Sequence, residues 1–448
     1  MTSRRNFLRF GCCSVSTLTV ASQFSRMGMI NALAQSTGDY KALVCVFLFG
    51  GNDANNMVLP YSTQYTQYAG VRGTLAIPQG QILQCPTTSG VVYGLHPSFA
   101  SLHPLWAQKR LAAVANVGML VRPTTRQQYL SGGQVPSNLF SHSDQTSQWQ
   151  TGMPLGGTTG WGGRIADKLT QYGMNQPSSF PLGVSVSGGA LLLNGVTTKP
   201  ATVNPGQTST GLEGTNAANA AMVARDVSVQ ELLEMDSGMA LVQAASANTK
   251  EGIRIAQLIN QATTSNPLAT AFPTTGLGNQ MAQIARLIQV RGQLGMRRQI
   301  FFASMGGFDT HSNQLPDHAG LLTQLSDALA AFHNATVEMG VANQVTTFTE
   351  SEFSRTFQPS QGAGTDHAWG GHHLLMGAAL KGGEMYGTFP TLALQGPDDS
   401  GNRGNWIPTT PLDVYGATLA QWFGVPQSDL PGVFPNLANF TTQNLGFL

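Results

Sequence analysis

The chain has 448 residues, with 23 Lys or Arg against 22 Asp or Glu, a formal net charge of +1. Only 10% of the residues are charged, against roughly 25% in average domains. Four of the basic residues (Arg4, Arg5, Arg9 and Arg26) fall in the first 34 positions; without them 19 basic residues face 22 acidic ones, a formal charge of −3, which excludes the cationic footprint of a nucleic-acid or anionic-lipid binder.

The chain opens Ser3-Arg4-Arg5-Asn6-Phe7-Leu8-Arg9. Adjacent arginines followed at fixed spacing by Phe-Leu and another basic residue form an address read by the twin-arginine translocase. A mildly apolar stretch of about 15 residues follows, Phe10 to Phe24, too short to span a bilayer stably. Ala32-Leu33-Ala34 supplies the small-x-small cleavage pattern, so positions 1–34 read as a signal peptide cut after Ala34. The expected location of the mature chain is periplasmic or secreted, with no stable membrane span. Cys12-Cys13 precede the apolar stretch, which argues against a lipid-anchored start. Cys45 and Cys85 remain after cleavage; they could pair, but Cys45 lies in an apolar run that favours a buried free thiol.

Five short apolar runs read as buried strands: Ala42–Phe49, Leu111–Val117, Phe180–Val186, Gln299–Ser304 and Val345–Phe348. Helical patterns lie between several of them. Leu322, Leu325, Leu329 and Phe332 share one helical face. So do Leu412, Tyr415, Leu419 and Trp422, in a segment opening Thr410-Pro411 with Asp413 near the third helical position, a cap with proline at the first turn. Continuous apolar strands alternating with helices predict a mostly parallel sheet covered on both faces. Residues 40–448 read as one domain, with a loop-rich insertion near 193–219.

Polar clusters follow the strands. The first ends Phe49-Gly50-Gly51-Asn52-Asp53, leaving Asp53 at the carboxyl edge, where open α/β sheets place ligands. The fourth runs into Gly306-Gly307-Phe308-Asp309-Thr310-His311, a carboxylate and an imidazole that could chelate one ion. The fifth ends Glu350-Ser351-Glu352-Phe353-Ser354-Arg355, with two acids at alternate positions. The densest cluster, Gly364-Thr365-Asp366-His367-Ala368-Trp369-Gly370-Gly371-His372-His373, holds three of the nine histidines and reads as a site, with chance crowding in a glycine loop as the alternative. In Phe140-Ser141-His142-Ser143-Asp144, hydroxyls flank an imidazole and could supply a nucleophile and base; a solvated polar loop is the alternative.

Together these residues resemble the twin-arginine-exported family called domain of unknown function 1501. The pattern is carried by Phe47–Asn56, Gly160-Trp161-Gly162-Gly163-Arg164, Glu350–Thr356, Gly364–His367 and Trp406-Ile407-Pro408-Thr409-Thr410. Through that family the chain is distantly similar to the alkaline phosphatase and sulfatase superfamily. The resemblance implies an alkaline phosphatase-like α/β three-layer sandwich, with a mostly parallel central sheet and a metal centre at its carboxyl edge. It matches Asp53 to the first-strand aspartate ligand, Asp309 and His311 to an Asp…His segment before a long helix, and His367 to a late histidine ligand. Glu350-Ser351-Glu352 stands where the superfamily has Asp-His. Sulfatases carry Cys-x-Pro-x-Arg followed by Thr-Gly. Anchored on Thr151-Gly152, that motif puts His142 at the cysteine, Asp144 at the proline and Thr146 at the arginine, so standard sulfatase chemistry is not expected.

The expectation is an exported metal-dependent hydrolase of phosphate or sulfate esters. Asp53, Asp309, His311, Glu352, Asp366 and His367 would hold one or two divalent ions (Zn, Mn, Fe, Mg or Ca). His142, Ser143 and Ser141 are the catalytic candidates, and Arg164, Arg355 and His372 the candidates for gripping a small anionic ester. The rival is a non-catalytic exported protein that keeps the scaffold and binds a glycan, a surface polymer or a partner protein.

Overall fold

Each of the five apolar runs contains a strand of a single sheet in the computed structural model, which describes residues 39–62, 64–205, 219–263 and 267–448. The twin-arginine motif, the apolar stretch, the cleavage pattern and residues 206–218 of the expected insertion lie outside the described residues. Among the described residues the sheet has nine strands: β1 Lys41–Leu48, β2 Leu111–Gly118, β3 Gly183–Ser185, β4 Ala201–Thr202, β5 Arg298–Met305, β6 Val345–Glu350, β7 Gly371–Met376, β8 Met385–Tyr386 and β9 Thr410–Pro411. Their order is β8-β2-β7-β6-β1-β5-β3-β4, with β9 also pairing with β2. Only β7 runs antiparallel to its neighbours, β2 and β6; the other pairings are parallel. A mostly parallel sheet flanked by helices is the α/β sandwich expected.

The principal helices are α1 His142–Thr151, α2 Trp161–Gln171, α3 Ala220–Glu234, α4 Ala240–Thr263, α5 Gly276–Gln289, α6 Gln314–Glu338 and α7 Leu412–Phe423. Alternation along β1 sends Leu43, Cys45 and Phe47 to one face. There they join a buried cluster with Trp161, Ile165 and Leu169 of α2 and Leu412, Tyr415 and Leu419 of α7. Ala42, Val44, Val46 and Leu48, also fully buried, take the opposite face, where α5 packs on β5 and α6 packs on α5. The α6 stripe Leu322, Leu325, Leu329 and Phe332 is buried throughout, each side chain contributing about 1.5–3 kcal/mol.

Two local expectations are corrected. Pro411 is the N-cap of α7, without a side-chain cap, and not a first-turn residue; Thr410 instead donates its hydroxyl to the Ala115 carbonyl at 2.8 Å and pairs as β9. The polar cluster read as one site through His373 is divided at Gly371, where β7 begins and carries His372 and His373 into the core. Two polar rings broke the apolar pattern and hid that strand. Cys45 and Cys85 are free and buried. No helix among the described residues is long and apolar enough to cross a membrane.

Among the imidazoles that burial keeps neutral by removing the water a charged ring needs, four are shifted furthest: His96 is lowered to about 4, and His318, His372 and His373 to about 3. The unfolded chain protonates these rings below about pH 6.5, so their contribution is complete at neutral pH and is lost as pH falls. Each removes roughly 2–3 kcal/mol by pH 4.5. Glu350, raised well above its usual range by burial, and Asp413, raised to about 7 by burial, act in the opposite sense, but four rings outnumber two carboxyls. The melting temperature, measured in chelator-containing buffers, is expected to fall steadily from pH 7 to about 4.5; a flat or rising profile would refute this account.

Candidate metal centre

β5 and β6 flank β1 in register, Leu48 opposite Met305 and Phe47 opposite Glu350, so their carboxyl ends open at one place. Gly50, at φ +116°, lets the β1 exit turn sharply; a Cβ there would lie 2.4 Å from the Asp309 nitrogen. The segment after β6 pairs antiparallel with the segment around His367. Ser354 N donates to the Trp369 carbonyl at 3.0 Å, and Thr356 N to the Asp366 carbonyl at 2.9 Å. Gly364 lets this strip pass close to the Asp309–His311 loop, since a Cβ there would sit 2.1 Å from the His311 carbonyl carbon.

Three imidazoles converge on the Asp309 carboxylate. His311 Nε2 lies 3.0 Å and His367 Nε2 3.3 Å from Oδ1, and His142 Nε2 lies 3.5 Å from Oδ2. His311 Nε2 and His367 Nε2 are 3.1 Å apart. Each ring's other nitrogen faces an outward acceptor: His142 Nδ1 meets Glu352 Oε1 at 2.8 Å, His367 Nδ1 the Phe140 carbonyl at 2.7 Å, and His311 Nδ1 Asp366 Oδ1 at 3.4 Å. An Nδ1–H donated outward leaves the Nε2 lone pair facing inward, the arrangement that metal-ligating histidines adopt. His142 Nε2 is buried without a hydrogen-bond partner.

This donor set fits a divalent ion. Ligand atoms about 2.0–2.1 Å from a tetrahedral ion lie roughly 3.3 Å from one another, close to the separations seen here. One ligand atom each from His142, Asp309 and His367 falls within 4.8 Å of the others; His311 Nε2 lies beside Asp309 and His367 but outside that group of three. Two imidazole nitrogens and one carboxylate oxygen suit Zn, and also Mn or Fe.

The ionisation states agree with that role. Partial burial alone would raise the Asp309 pKa, but Arg355 donates to its Oδ1 at 2.8 Å and holds the carboxyl below its usual range, with help from the His311 and His142 rings. Burial lowers His367 and keeps it neutral, against the upward pull of the Phe140 carbonyl. Phe353 stacks on His367, ring centroids 4.6 Å apart, and lies 4.8 Å from His142.

Other candidates are placed differently. Asp53 is fully buried and paired with Arg72 and the Gln314 amide, so a guanidinium already neutralises it; its Oδ1 has no hydrogen-bond partner. Glu352, also buried, orients His142 and accepts from Gly50 N at 2.8 Å. Asp366 pairs with Arg403 behind His311. Ser141 and Ser143 donate to Asp144 at 2.5 and 3.3 Å, not to His142. Arg164 is buried and donates to the carbonyls of Thr151, Thr159 and Val433, away from the cluster. His372 is buried in β7, accepts from Asn116 N at 3.1 Å and stacks on Phe389. The Phe140 carbonyl, Phe353 and Arg403 were missed by the sequence reading; only Phe140 and Phe353 lay inside segments already singled out.

Among solved structures, the PsFucS1 sulfatase from Pseudoalteromonas sp. is 9% identical with a TM-score of 0.33, covering 94% of this chain and 74% of that one. The phosphonate monoester hydrolase SpPMH from Silicibacter pomeroyi is 9% identical with a TM-score of 0.33, covering 86% and 73%. Alkaline phosphatase from the Antarctic bacterium TAB5 is 9% identical with a TM-score of 0.25, covering 75% and 90%. Likeness at this level says nothing of the chemistry of this chain. No curated protein matches it. The sequence profile of a family described as "Protein of unknown function (DUF1501)" matches residues 40–402, and the chain belongs to that family.

Proposed function

We propose that this chain is an exported metal-dependent hydrolase of phosphate or sulfate esters, with His142, Asp309 and His367 holding one divalent ion and His311 beside it. The observation that carries the reading is the convergence of three Nε2 atoms on Asp309, each ring fixed from behind by an acceptor. A bound ion would supply Lewis acidity, polarising an ester oxygen and lowering the pKa of an attacking water. Arg355 keeps Asp309 anionic, and Glu352 locks the His142 ring. The Asp309 and His311 side chains are about half exposed, which leaves that side of the cluster open to a small anion. Ser141 and Ser143 are engaged by Asp144, so water is the attacking group in this reading.

The binding-protein alternative draws on a specific observation as well: Arg355 and Arg164 are fully occupied within the protein, leaving neither free to grip an ester. Elemental analysis of the purified protein, paired with a panel of phosphate and sulfate esters, separates the two. The hydrolase reading expects stoichiometric divalent metal and turnover, both abolished in Asp309→Ala. Stoichiometric metal without turnover supports the binding protein, and a metal-free native protein defeats the hydrolase reading. Glu352→Gln, which keeps the shape but loses the charge behind His142, is expected to weaken metal affinity about 10- to 100-fold with the fold retained; unchanged affinity would remove Glu352 from its orienting role. Export rests on the N-terminal motif: replacing Arg4 and Arg5 by Lys is expected to leave the protein in the cytoplasmic fraction, and normal export of that variant would reject the twin-arginine assignment.

A further inference from the structure

The segment Trp406-Ile407-Pro408-Thr409-Thr410 takes no part in the metal centre, yet its last four residues wall a cleft of about 740 Å³, a size typical of small-molecule sites. The cleft opens at the carboxyl end of β2. There β9 pairs with Val117 and Gly118, and a Cβ on Gly118 would lie 2.4 Å from Pro408 Cγ. Strands β2 and β6 both run antiparallel to β7, so this is the edge that also carries the metal centre, the edge at which open α/β sheets place ligands. The cleft shares no residue with that centre. Asn405, which donates to the His367 carbonyl at 3.2 Å, leads into its wall.

We propose that this cleft binds a neutral sugar unit of an oligosaccharide. Its floor is apolar, built from the buried side chains of Leu120, Ile407, Val414 and Phe440. Around it stand the exposed Thr388, Thr441 and Thr442, whose hydroxyls can donate or accept. Thr124 and Thr409 have given their hydroxyl protons to the Arg122 and Thr388 carbonyls, at 2.9 and 2.5 Å, so their oxygens can only accept. Asp398, the single charged residue of the lining, spends Oδ2 on the Thr391 amide at 2.8 Å and keeps Oδ1 for a ligand. A lining rich in acceptors calls for a ligand rich in donors. None of the described lining residues is Lys, Arg or His, so a sulfate or phosphate group would meet a carboxylate with no cation to offset it. A lone ammonium has donors but no apolar face, and would leave the floor bare. A pyranose supplies a C–H face for the floor and a belt of hydroxyls for the wall, without charge. The site is independent of the ion and of the proposed activity.

Isothermal titration calorimetry of the exported-length chain tests this with cellohexaose, maltohexaose, xylohexaose and mannohexaose. A sulfated heparin hexasaccharide and an uncharged hexapeptide serve as contrasts. At least one neutral hexasaccharide is expected to bind, equally well in chelator and in Asp309→Ala, and the sulfated one is not. Thr441→Trp places a bulky side chain at an exposed position of the lining and is expected to abolish that binding. Asp398→Asn keeps an acceptor for the Thr391 amide but loses the charge, and is expected to weaken binding about tenfold. Melting temperatures of both variants should match wild type, which separates a lost ligand from a lost fold. Binding of none of the neutral sugars overturns the proposal, as does preference for the peptide or the heparin fragment. Affinity unchanged in both variants overturns it as well, and affinity lost in chelator would move the sugar to the metal centre.

Discussion

Neighbouring parallel strands must end at the same edge of a sheet, and here three of them, β6, β1 and β5, do so within one residue of register. The loops that leave those ends therefore start side by side, although the strands end as far apart in sequence as Leu48, Met305 and Glu350. Asp309 and His311 arrive from one, Glu352 and Arg355 from the next, and the Gly50 amide from the third. Helix α1 and the strip around His367 then supply the remaining rings. A glycine at each close approach, Gly50 and Gly364, lets backbones meet where a methyl group would collide.

Behind the rings runs a continuous buried polar path. Asp53 is bound by Arg72 and Gln314, Gln314 accepts from the Thr365 hydroxyl at 2.5 Å, Thr365 accepts from Arg355 Nε at 3.3 Å, and Arg355 reaches Asp309. Buried charges are costly unless paired and hydrogen-bonded, and every link here is a specific pairing. The path makes the position of Asp309 depend on residues that never reach the cluster. It also explains why Asp53, at the edge of β1, serves as an anchor: its charge is already balanced by a guanidinium.

The same residue type takes opposite duties according to surroundings. His318, His372 and His373 sit where water is excluded and stay neutral as polar fillers of the core. His142, His311 and His367 sit where solvent still reaches the cluster, and each is steered by an acceptor behind it. Crowding in sequence did not distinguish them: within a seven-residue stretch, His367 reaches the centre while His372 and His373 turn into the sheet.

Local pattern sufficed for the strands and for the α6 and α7 faces, because burial on both sides of a parallel strand demands an unbroken apolar run and burial on one side of a helix demands a stripe. It also marked Asp309, His311, His367 and His142 as chemically interesting, since such groups are rarely spent on strand ends without a partner. The strand carrying His372 and His373 escaped, as polar rings disguised its burial. Which acids meet which imidazoles was settled by tertiary structure alone. Sequence proximity is a short-range property, whereas coordination distance depends on sheet order, and nothing near Asp53 announces that Arg72 and Gln314 will occupy it.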